Sequence, residues 1–143
     1  MKIITTEFWP EARMIFKTNE KVPADLLSSL RESVGWNRME KELRNPNLTS
    51  YCHIAAYEEN ELIGFIDCVS NGVTDAYIQD LMVRPEYQGK GIGTKLMNMM
   101  IDYLKGNHIY MISVLFDESL KSFYERFGFH TMLSGQMETY RSE

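Results

Sequence analysis

The first third of the chain shows strand spacing followed by helical spacing of its apolar residues. Residues 13–17 (RMIFK) form a strand candidate that ends at the polar turn TNEK. Beyond that turn, leucines and a valine recur every three or four positions, which predicts a helix over 24–34 that stops at Gly35. Residues 37–44 predict a second, short and polar helix. We therefore expect a helical pair after the first strand.

The middle of the chain has the pattern of a β-hairpin followed by a third strand. Residues 50–70 contain two runs rich in β-branched and aromatic side chains, separated by the polar segment EENE. A third strand is predicted over 76–83 after the turn at Asn71 and Gly72. Pro85 has no backbone N–H to donate, so it prevents a regular continuation of this strand inside a sheet.

The last part of the chain predicts helix, strand and helix again. Apolar positions at helical spacing indicate a helix over 92–104. Residues 110–116 (YMISVLF) lack the polar alternation of a half-exposed strand, which favours a central position in the sheet. Asp117 is placed to cap a helix over 118–127, and residues 128–141 are interpreted as one bent strand or a hairpin.

Together these elements predict an α/β or α+β fold, with helices after the strands that end at Val83 and Phe116. A length of 143 residues and a hydrophobic content of 44% fit one domain over residues 1–143.

Charge and composition narrow the classes of function. The net charge of −5 disfavours a nucleic-acid binder, because affinity for phosphate backbones comes from clustered Lys and Arg. No segment approaches the roughly 20 apolar residues of a membrane span, so we expect a cytoplasmic protein with no membrane partner. Cys52 and Cys68 are too few and too isolated for a disulfide framework or a metal cluster. We expect both thiols to be reduced and buried, and no metal site.

The stretch QGKGIGTK, residues 88–95, carries the clearest chemical signal. It matches neither the P-loop spacing nor the dinucleotide fingerprint Gly-x-Gly-x-x-Gly. The physics of those loops still applies, because glycines let the backbone approach a ligand and the first turn of the next helix offers free N–H groups to an anion. Lys90, Lys95 and Arg84 can add positive charge there. The alternative is a tight strand-to-helix turn that binds no ligand.

Two motifs resemble those of the GCN5-related N-acetyltransferases. The segment 88–93 (QGKGIG) fits the family signature Gln/Arg-x-x-Gly-x-Gly/Ala, and it follows a strand ending in LMVRPEY. Downstream, 122–129 (SFYERFGF) is similar to the FYxxxGF segment of that family. One helix and one strand separate the two motifs, as in the family, and the resemblance extends over nearly the whole chain.

The resemblance implies a mixed, mostly antiparallel sheet that is splayed at its centre, is flanked by helices and holds acetyl-coenzyme A in the cleft. It implies that the backbone of 81–83 pairs with the pantetheine arm and that the loop 88–94 wraps the pyrophosphate. The coenzyme-binding residues implied in this way are Leu81, Met82, Val83, Gln88, Gly89, Lys90, Gly91, Ile92, Gly93 and Thr94. Many relatives have an asparagine that contacts the coenzyme where this chain has Asp117, whose carboxylate would repel phosphate.

Transfer of the acetyl group to an amine requires a base, an oxyanion donor and an acid. A free alkyl amine has a pKa near 10 and must lose a proton before attack. Asp80 is the candidate base, with an ordinary carboxylate at the edge of the core as the alternative. A backbone N–H around Met82 is the candidate oxyanion donor. The resemblance implies that Tyr124 is the general acid, and its alternative is a core tyrosine packed between phenylalanines.

The leading hypothesis is an acetyl-CoA-dependent N-acyltransferase that acts on a primary amine by direct transfer. A coenzyme sensor or partner-binding domain without catalysis is the alternative, and a nucleotide hydrolase is disfavoured by the failed P-loop. Residues 24–44 and 70–75 are expected to shape the acceptor site. Trp36, Glu32 and Glu40 there would favour a cationic amine, and the alternative is that these carboxylates are only solvated, as is usual on a helix surface. The acceptor itself, and whether the protein forms a homodimer, are left open by the sequence.

Overall fold

One sheet of six strands organises the described residues, which are 2–9 and 13–139 of the computed structural model. The strands lie side by side in chain order, and every neighbouring pair is antiparallel except the last, which is parallel. The strands are β1 (Thr5–Trp9), β2 (Met14–Thr18), β3 (Cys52–Glu58), β4 (Glu61–Ser70), β5 (Asp75–Val83) and β6 (Met111–Val114). The helices are α1 (Ala24–Ser33), α2 (Glu40–Leu43), α3 (Ile92–Gly106) and α4 (Lys121–Glu125), with 3₁₀ turns at Pro85–Tyr87 and Glu118–Leu120. A mixed, mostly antiparallel sheet flanked by helices is thus confirmed.

The two faces of the sheet are covered by different helices. The amphipathic α3 buries six side chains against one face, where the larger core cluster lies. The opposite face packs against α1 through a smaller cluster that includes Leu30, Phe65 and Met82. Burial of each such side chain contributes about 1.5–3 kcal/mol of transfer free energy. The sheet therefore separates an α3 side from an α1 side.

Gly64 of β4 fixes how closely α3 approaches the sheet. A Cβ at this position would lie 3.2 Å from Leu96 Cδ1, 3.3 Å from Ile92 Cγ2 and 3.4 Å from Ala56 Cβ. The first two distances are shorter than ordinary van der Waals contact, so a larger residue would push the first half of α3 outward. The absence of a side chain at Gly64 thus helps position the N-terminus of α3.

β5 and β6 pair over only part of their length. Their parallel register runs from Asp75↔Met111 to Ile78↔Val114, and β6 ends there. β5 continues to Val83 without a partner on that side among the described residues. The sheet is therefore open between these two strands beyond Ile78.

Several predicted elements are confirmed, and others are corrected. The helix expected over 24–34 is α1, the hairpin is β3 and β4, and the strand expected over 76–83 is β5. The predicted polar helix shortens to α2, because Met39 has a left-handed φ of 48° that breaks the helical path before Glu40. The strand β1 has no counterpart in the prediction.

The central position predicted for 110–116 is wrong. Within the described part of the chain, β6 is an edge strand with a half-exposed pattern. The bent strand or hairpin expected over 128–141 is not observed: residues 129–139 have no regular secondary structure, and 140–141 lie outside the described residues. Asp117 occupies the N-cap position of the 3₁₀ turn before α4, but its side chain makes no capping hydrogen bond. None of the described helices is long and apolar enough to cross a membrane.

Candidate active site

A bulge in β5 places Asp80 at the open part of the sheet. Phe65 pairs with Met82 and Asp67 pairs with Gln79, so two residues of β5 lie opposite one residue of β4. Asp80 has a left-handed φ of 57°, which a short polar residue tolerates better than most. The bulge ends the regular alternation of side chains, and this is why strand parity alone does not predict the direction of the Asp80 side chain.

Asp67 of β4 is a second carboxyl group beside Asp80. Gln79 Nε2 donates a hydrogen bond of 2.8 Å to Asp67 Oδ2, whereas Oδ1 is buried and no donor in the described residues meets it with hydrogen-bond geometry. Burial raises the pKa of Asp67, although Gln79, the Cys68 backbone and the nearby Ser50 hydroxyl counteract this effect. The sequence analysis missed Asp67, although its signal was present: it is the single charged residue inside the apolar run of β4.

The ionisation of Asp80 is set by burial and by two neighbouring charges. Burial raises the pKa of Asp80, the Arg31 guanidinium lowers it, and the Asp67 carboxylate raises it further. The two carboxyl groups therefore lie close enough to influence each other. The positive charge of an ammonium group placed between them would stabilise the ionised form of both.

Both carboxyl groups line a cavity of about 960 Å³ on the α1 side of the sheet. This volume lies within the range of small-molecule sites. The strands contribute His53, Phe65, Asp67, Gln79, Asp80 and Met82. The opposite wall comes from the segment before α1, from α1 itself and from the residues that follow α2. Residues 24–44, expected to shape the acceptor site, thus contribute to this wall, whereas 70–75 do not line the cavity.

His53 is fixed by hydrogen bonds within this cavity. Its Nε2 lies 2.7 Å from the Glu20 carbonyl oxygen and its Nδ1 lies 3.0 Å from Ser50 Oγ. Nε2 must carry the proton to donate to a carbonyl, and Nδ1 is in hydrogen-bond contact with the Ser50 hydroxyl. Both nitrogens are therefore occupied, which favours Asp80 over His53 as a base.

The glycine loop follows the free end of β5 and leads into α3. Gly89 and Gly91 have left-handed φ values of 77° and 86°, and α3 begins immediately afterwards at Ile92. Non-glycine side chains disfavour this backbone region. Gln88 Nε2 donates to the Val83 carbonyl oxygen at 2.9 Å, which ties the loop to the strand. The predicted coenzyme residues therefore form two adjoining segments: the end of β5, and the loop with the first turn of α3.

The positive charge at this loop differs from the prediction. Lys95 forms an ion pair with Glu7. Arg84 Nε donates a hydrogen bond of 2.9 Å to the Leu62 carbonyl oxygen of β4. Both cations are therefore already engaged with other groups. Lys90 lies over the Tyr87 ring at 5.2 Å, next to the loop.

Arg126, which the sequence analysis missed, supplies a further cation. Its Nη2 donates to Thr94 Oγ1 at 3.3 Å, in the first turn of α3. Its guanidinium carbon lies 5.1 Å from the Phe123 ring centroid, an arrangement that supports the side chain. The segment FYERF thus contributes a cation as well as a tyrosine.

Tyr124 lies in α4 with only 6% of its surface exposed. Its ring stacks on Phe116 at 4.6 Å between centroids and meets Phe123 edge-on at 5.0 Å. Burial raises the pKa of Tyr124, and the nearby Tyr77 raises it further. Burial also raises the pKa of Tyr77, and the Asp80 carboxylate raises it further. Tyr77 of β5 therefore lies close to both predicted catalytic residues, and the sequence analysis did not identify it.

Both cysteines lie opposite each other on β3 and β4, and both are buried and free, as expected. Burial raises the pKa of each thiol to about 12. Neither is therefore a thiolate near neutral pH. Among the described residues, no group of three or more His, Cys, Asp or Glu side chains is arranged to hold a metal ion.

Comparison with known proteins points to one family. The sequence profile described as "Acetyltransferase (GNAT) family" matches residues 8–129. The N-acetyltransferase ycf52 of Gracilaria tenuistipitata, described as uncharacterized, is 34% identical over 110 residues, which cover 73% of this chain and 60% of that protein. The chloroplastic GCN5-related N-acetyltransferase 2 of Arabidopsis thaliana is 27% identical over 137 residues, with 81% and 53% covered.

Solved structures show the same fold. A GNAT-family acetyltransferase from Streptococcus pneumoniae superimposes with a TM-score of 0.69 at 26% identity, covering 90% of this chain and 99% of that one. The chain spans about 60% of the length of the first curated relatives that it matches.

Proposed function

Because the chain belongs to the acetyltransferase (GNAT) family, we propose that it is an acetyl-CoA-dependent N-acyltransferase that moves an acetyl group directly to a primary amine. The observation that carries this proposal is the edge of β5 beyond Ile78, which has no strand partner within residues 2–9 and 13–139 and leads into a left-handed glycine loop. One end of this opening offers a strand edge and the other offers helix N–H groups. A long ligand with a peptide-like arm and a pyrophosphate requires this pair of features.

The loop has room for a pyrophosphate on its outer side. A Cβ at Gly89 would meet no atom within 4 Å, and one at Gly91 would come no closer than 3.9 Å to the Trp9 ring. The N–H groups in the first turn of α3 have no intrahelical acceptors, and a helix N-terminus favours an anion. Lys90 and Arg126 would neutralise the phosphate charge, and the backbone of 81–83 would accompany the pantetheine arm.

Two proton transfers are assigned, one to Asp80 as base and one to Tyr124 as acid. The acceptor arrives as an ammonium, and Asp80 takes one proton from it, so that the nitrogen lone pair is free. The nitrogen attacks the thioester carbonyl carbon and becomes positively charged in the tetrahedral intermediate. It then loses its second proton to solvent water, the carbon–sulfur bond breaks, and the thiolate leaves. Tyr124 gives its proton to that thiolate. The pKa of Asp80 is raised above the ordinary carboxyl value, which makes Asp80 a better proton acceptor than an exposed aspartate.

Direct transfer is favoured over an acyl-cysteine intermediate. The sequence has two cysteines, and burial raises the pKa of both to about 12. A buried thiol of this kind is a poor nucleophile, because the thiolate is the reactive form. The acetyl group would therefore pass from coenzyme to amine without a covalent enzyme intermediate.

The test is a thiol-release assay with acetyl-coenzyme A and a panel of amines, with coenzyme affinity measured separately by calorimetry. We expect coenzyme binding together with amine-dependent thiol release, and a loss of release in Asp80→Asn with binding retained. Binding without release for every amine would overturn the transferase proposal and favour the coenzyme-sensing alternative. Absence of coenzyme binding would overturn both.

A further inference from the structure

The cavity beside Asp80 has charges of opposite sign on its two walls. The sheet wall carries the carboxyl groups of Asp67 and Asp80. The wall opposite the sheet carries four cations, which are Lys2, Lys21, Arg31 and Arg44, and one carboxylate, Asp25. This excess of positive charge is local, because the whole chain has a net charge of −5.

Arg31 is the cation that is held most firmly toward the cavity. Its Nε donates to the Asn37 carbonyl oxygen and its Nη2 donates to Asn37 Oδ1, both at 2.7 Å. The side chain also lies over the Trp36 ring at 5.4 Å. These partners are neutral, so they fix the guanidinium without compensating its charge.

Nη1 of Arg31 is the guanidinium nitrogen that a bound anion could engage. Nη1 has no acceptor within residues 2–9 and 13–139, and Arg31 makes no ion pair with them. The effect of Arg31 on the ionisation of Asp80 shows that its charge is felt at the sheet wall. By contrast, Arg44 is compensated, because its Nη2 lies 3.0 Å from Glu40 Oε1.

Lys21, in the segment before α1, is a second cation at the cavity. It is exposed at the cavity, and it makes no ion pair with the described residues. The neighbouring Lys17 is paired with Glu20 at 3.4 Å, so Glu20 is engaged elsewhere. Lys21 and Arg31 therefore place two positive charges, neither in an ion pair with the described residues, across the cavity from two carboxyl groups.

We propose that the acceptor is a small primary amine that also carries an anionic group, a carboxylate or a phosphate. Its ammonium end lies between Asp67 and Asp80, beneath the opening of the sheet, and its anionic end lies against Arg31 and Lys21. Arginine recognises carboxylates and phosphates through paired N–H donors, and a fixed guanidinium loses little freedom on binding. This assignment rests on the proposed transferase function, because it names the substrate of the same site.

The test compares matched amines that differ in the anion alone. One pair is 4-aminobutanoate and 4-aminobutanamide, and the other is phosphoethanolamine and ethanolamine. We expect the anionic member of at least one pair to have a kcat/KM at least tenfold higher in the thiol-release assay. Whichever pair shows the larger ratio identifies carboxylate or phosphate as the preferred anion.

Charge-removing variants locate the recognition. Lys21→Gln and Arg31→Gln should each reduce the anionic advantage, which is the ratio of kcat/KM within a pair, to below about threefold. Both members of a pair are measured with the same variant, so a change in the ionisation of Asp80 affects both and largely cancels in this ratio. Arg31→Lys should retain part of the advantage, which separates charge from the packing role of the side chain. The matched control is Lys41→Gln in α2, because it removes the same charge from a residue that does not line the cavity.

The outcomes separate this inference from the proposed function. Equal kcat/KM within both pairs would overturn the acceptor class and leave the transferase in place, as would faster acetylation of an acidic peptide than of either anionic amine. If no amine is acetylated, calorimetry with coenzyme-loaded protein decides the question. Tighter binding of the anionic amines, lost in Arg31→Gln, would support the class, and equal binding within each pair would overturn it.

Discussion

The sharpest test of the coenzyme site is the addition of one methyl group at Gly93. This residue lies in the first turn of α3 and has no left-handed φ, so alanine fits its backbone conformation. A Cβ there would lie 3.7 Å from Phe123 Cζ and 3.8 Å from Val83 Cγ2, which are ordinary contacts. The methyl group would therefore enter the space between β5, α3 and α4 without disturbing the fold.

The expected effects on stability and on affinity have opposite signs. Alanine is favoured over glycine in a helix by up to about 1 kcal/mol, so Gly93→Ala should keep or raise the free energy of unfolding. If the coenzyme passes between Val83 and the first turn of α3, the methyl group occupies part of its path. A loss of coenzyme affinity of at least tenfold, about 1.4 kcal/mol, is expected.

Calorimetric titration with acetyl-coenzyme A and thermal unfolding measure the two effects independently. The control is Gly106→Ala at the other end of α3, where a Cβ would meet no atom within 4 Å. It should raise or maintain the melting temperature, by no more than about 4 °C, and leave affinity unchanged. Equal coenzyme affinity in both variants and the parent protein would refute the placement of the coenzyme beside Gly93.

Three further substitutions test other parts of the site. Tyr124→Phe keeps the buried ring and should lower kcat by about 10- to 10⁴-fold with an unchanged melting temperature; an unchanged kcat would remove Tyr124 from the mechanism. Asp67→Asn removes a negative charge that raises the pKa of Asp80, so the acid limb of the kcat/KM profile should move to lower pH, and a shift upward would contradict the assignment of Asp80 as base. Gly64→Ala should lower the free energy of unfolding by about 1–3 kcal/mol and weaken coenzyme binding, which unfolding and titration experiments would show; stability and affinity equal to the parent would mean that α3 accommodates the methyl group.

Elements with strong local signals were predictable from the sequence. The helical spacing of α1 and α3 reflects the face that each helix buries, and the runs of β-branched and aromatic side chains in β3 and β4 reflect burial of most of each strand. β1 was not predictable in this way, because its side chains are largely exposed and it is held by pairing with β2. The edge position of β6 was missed for a related reason: its apolar composition resembles that of a central strand, yet its side chains are only half covered.

The residues of the candidate site also differ in whether a local sequence pattern predicts them. The glycine loop and Tyr124 belong to contiguous motifs, so the sequence alone was enough to predict them as site residues. Asp67 and Arg126 were missed because each reaches the site through a partner that is distant in the chain: Asp67 pairs with Gln79 across two strands, and Arg126 bonds to Thr94 across two helices. Such juxtapositions depend on strand register and helix packing, which no local pattern contains.

The bulge at Asp80 links the two halves of the proposed reaction. A non-glycine residue with a φ of 57° stores about 1–3 kcal/mol of backbone strain, and such strain persists where surrounding structure holds it in place. Here the flanking pairs Asp67↔Gln79 and Phe65↔Met82 hold it from both sides. In a regular strand, the residues after Gln79 would keep strict alternation between the two faces. The extra residue instead gives β5 two roles. The edge of β5 faces the opening of the sheet, while the Asp80 carboxyl group lines the cavity proposed for the acceptor. Donor and acceptor can thus approach each other from opposite sides of the same short stretch of β5.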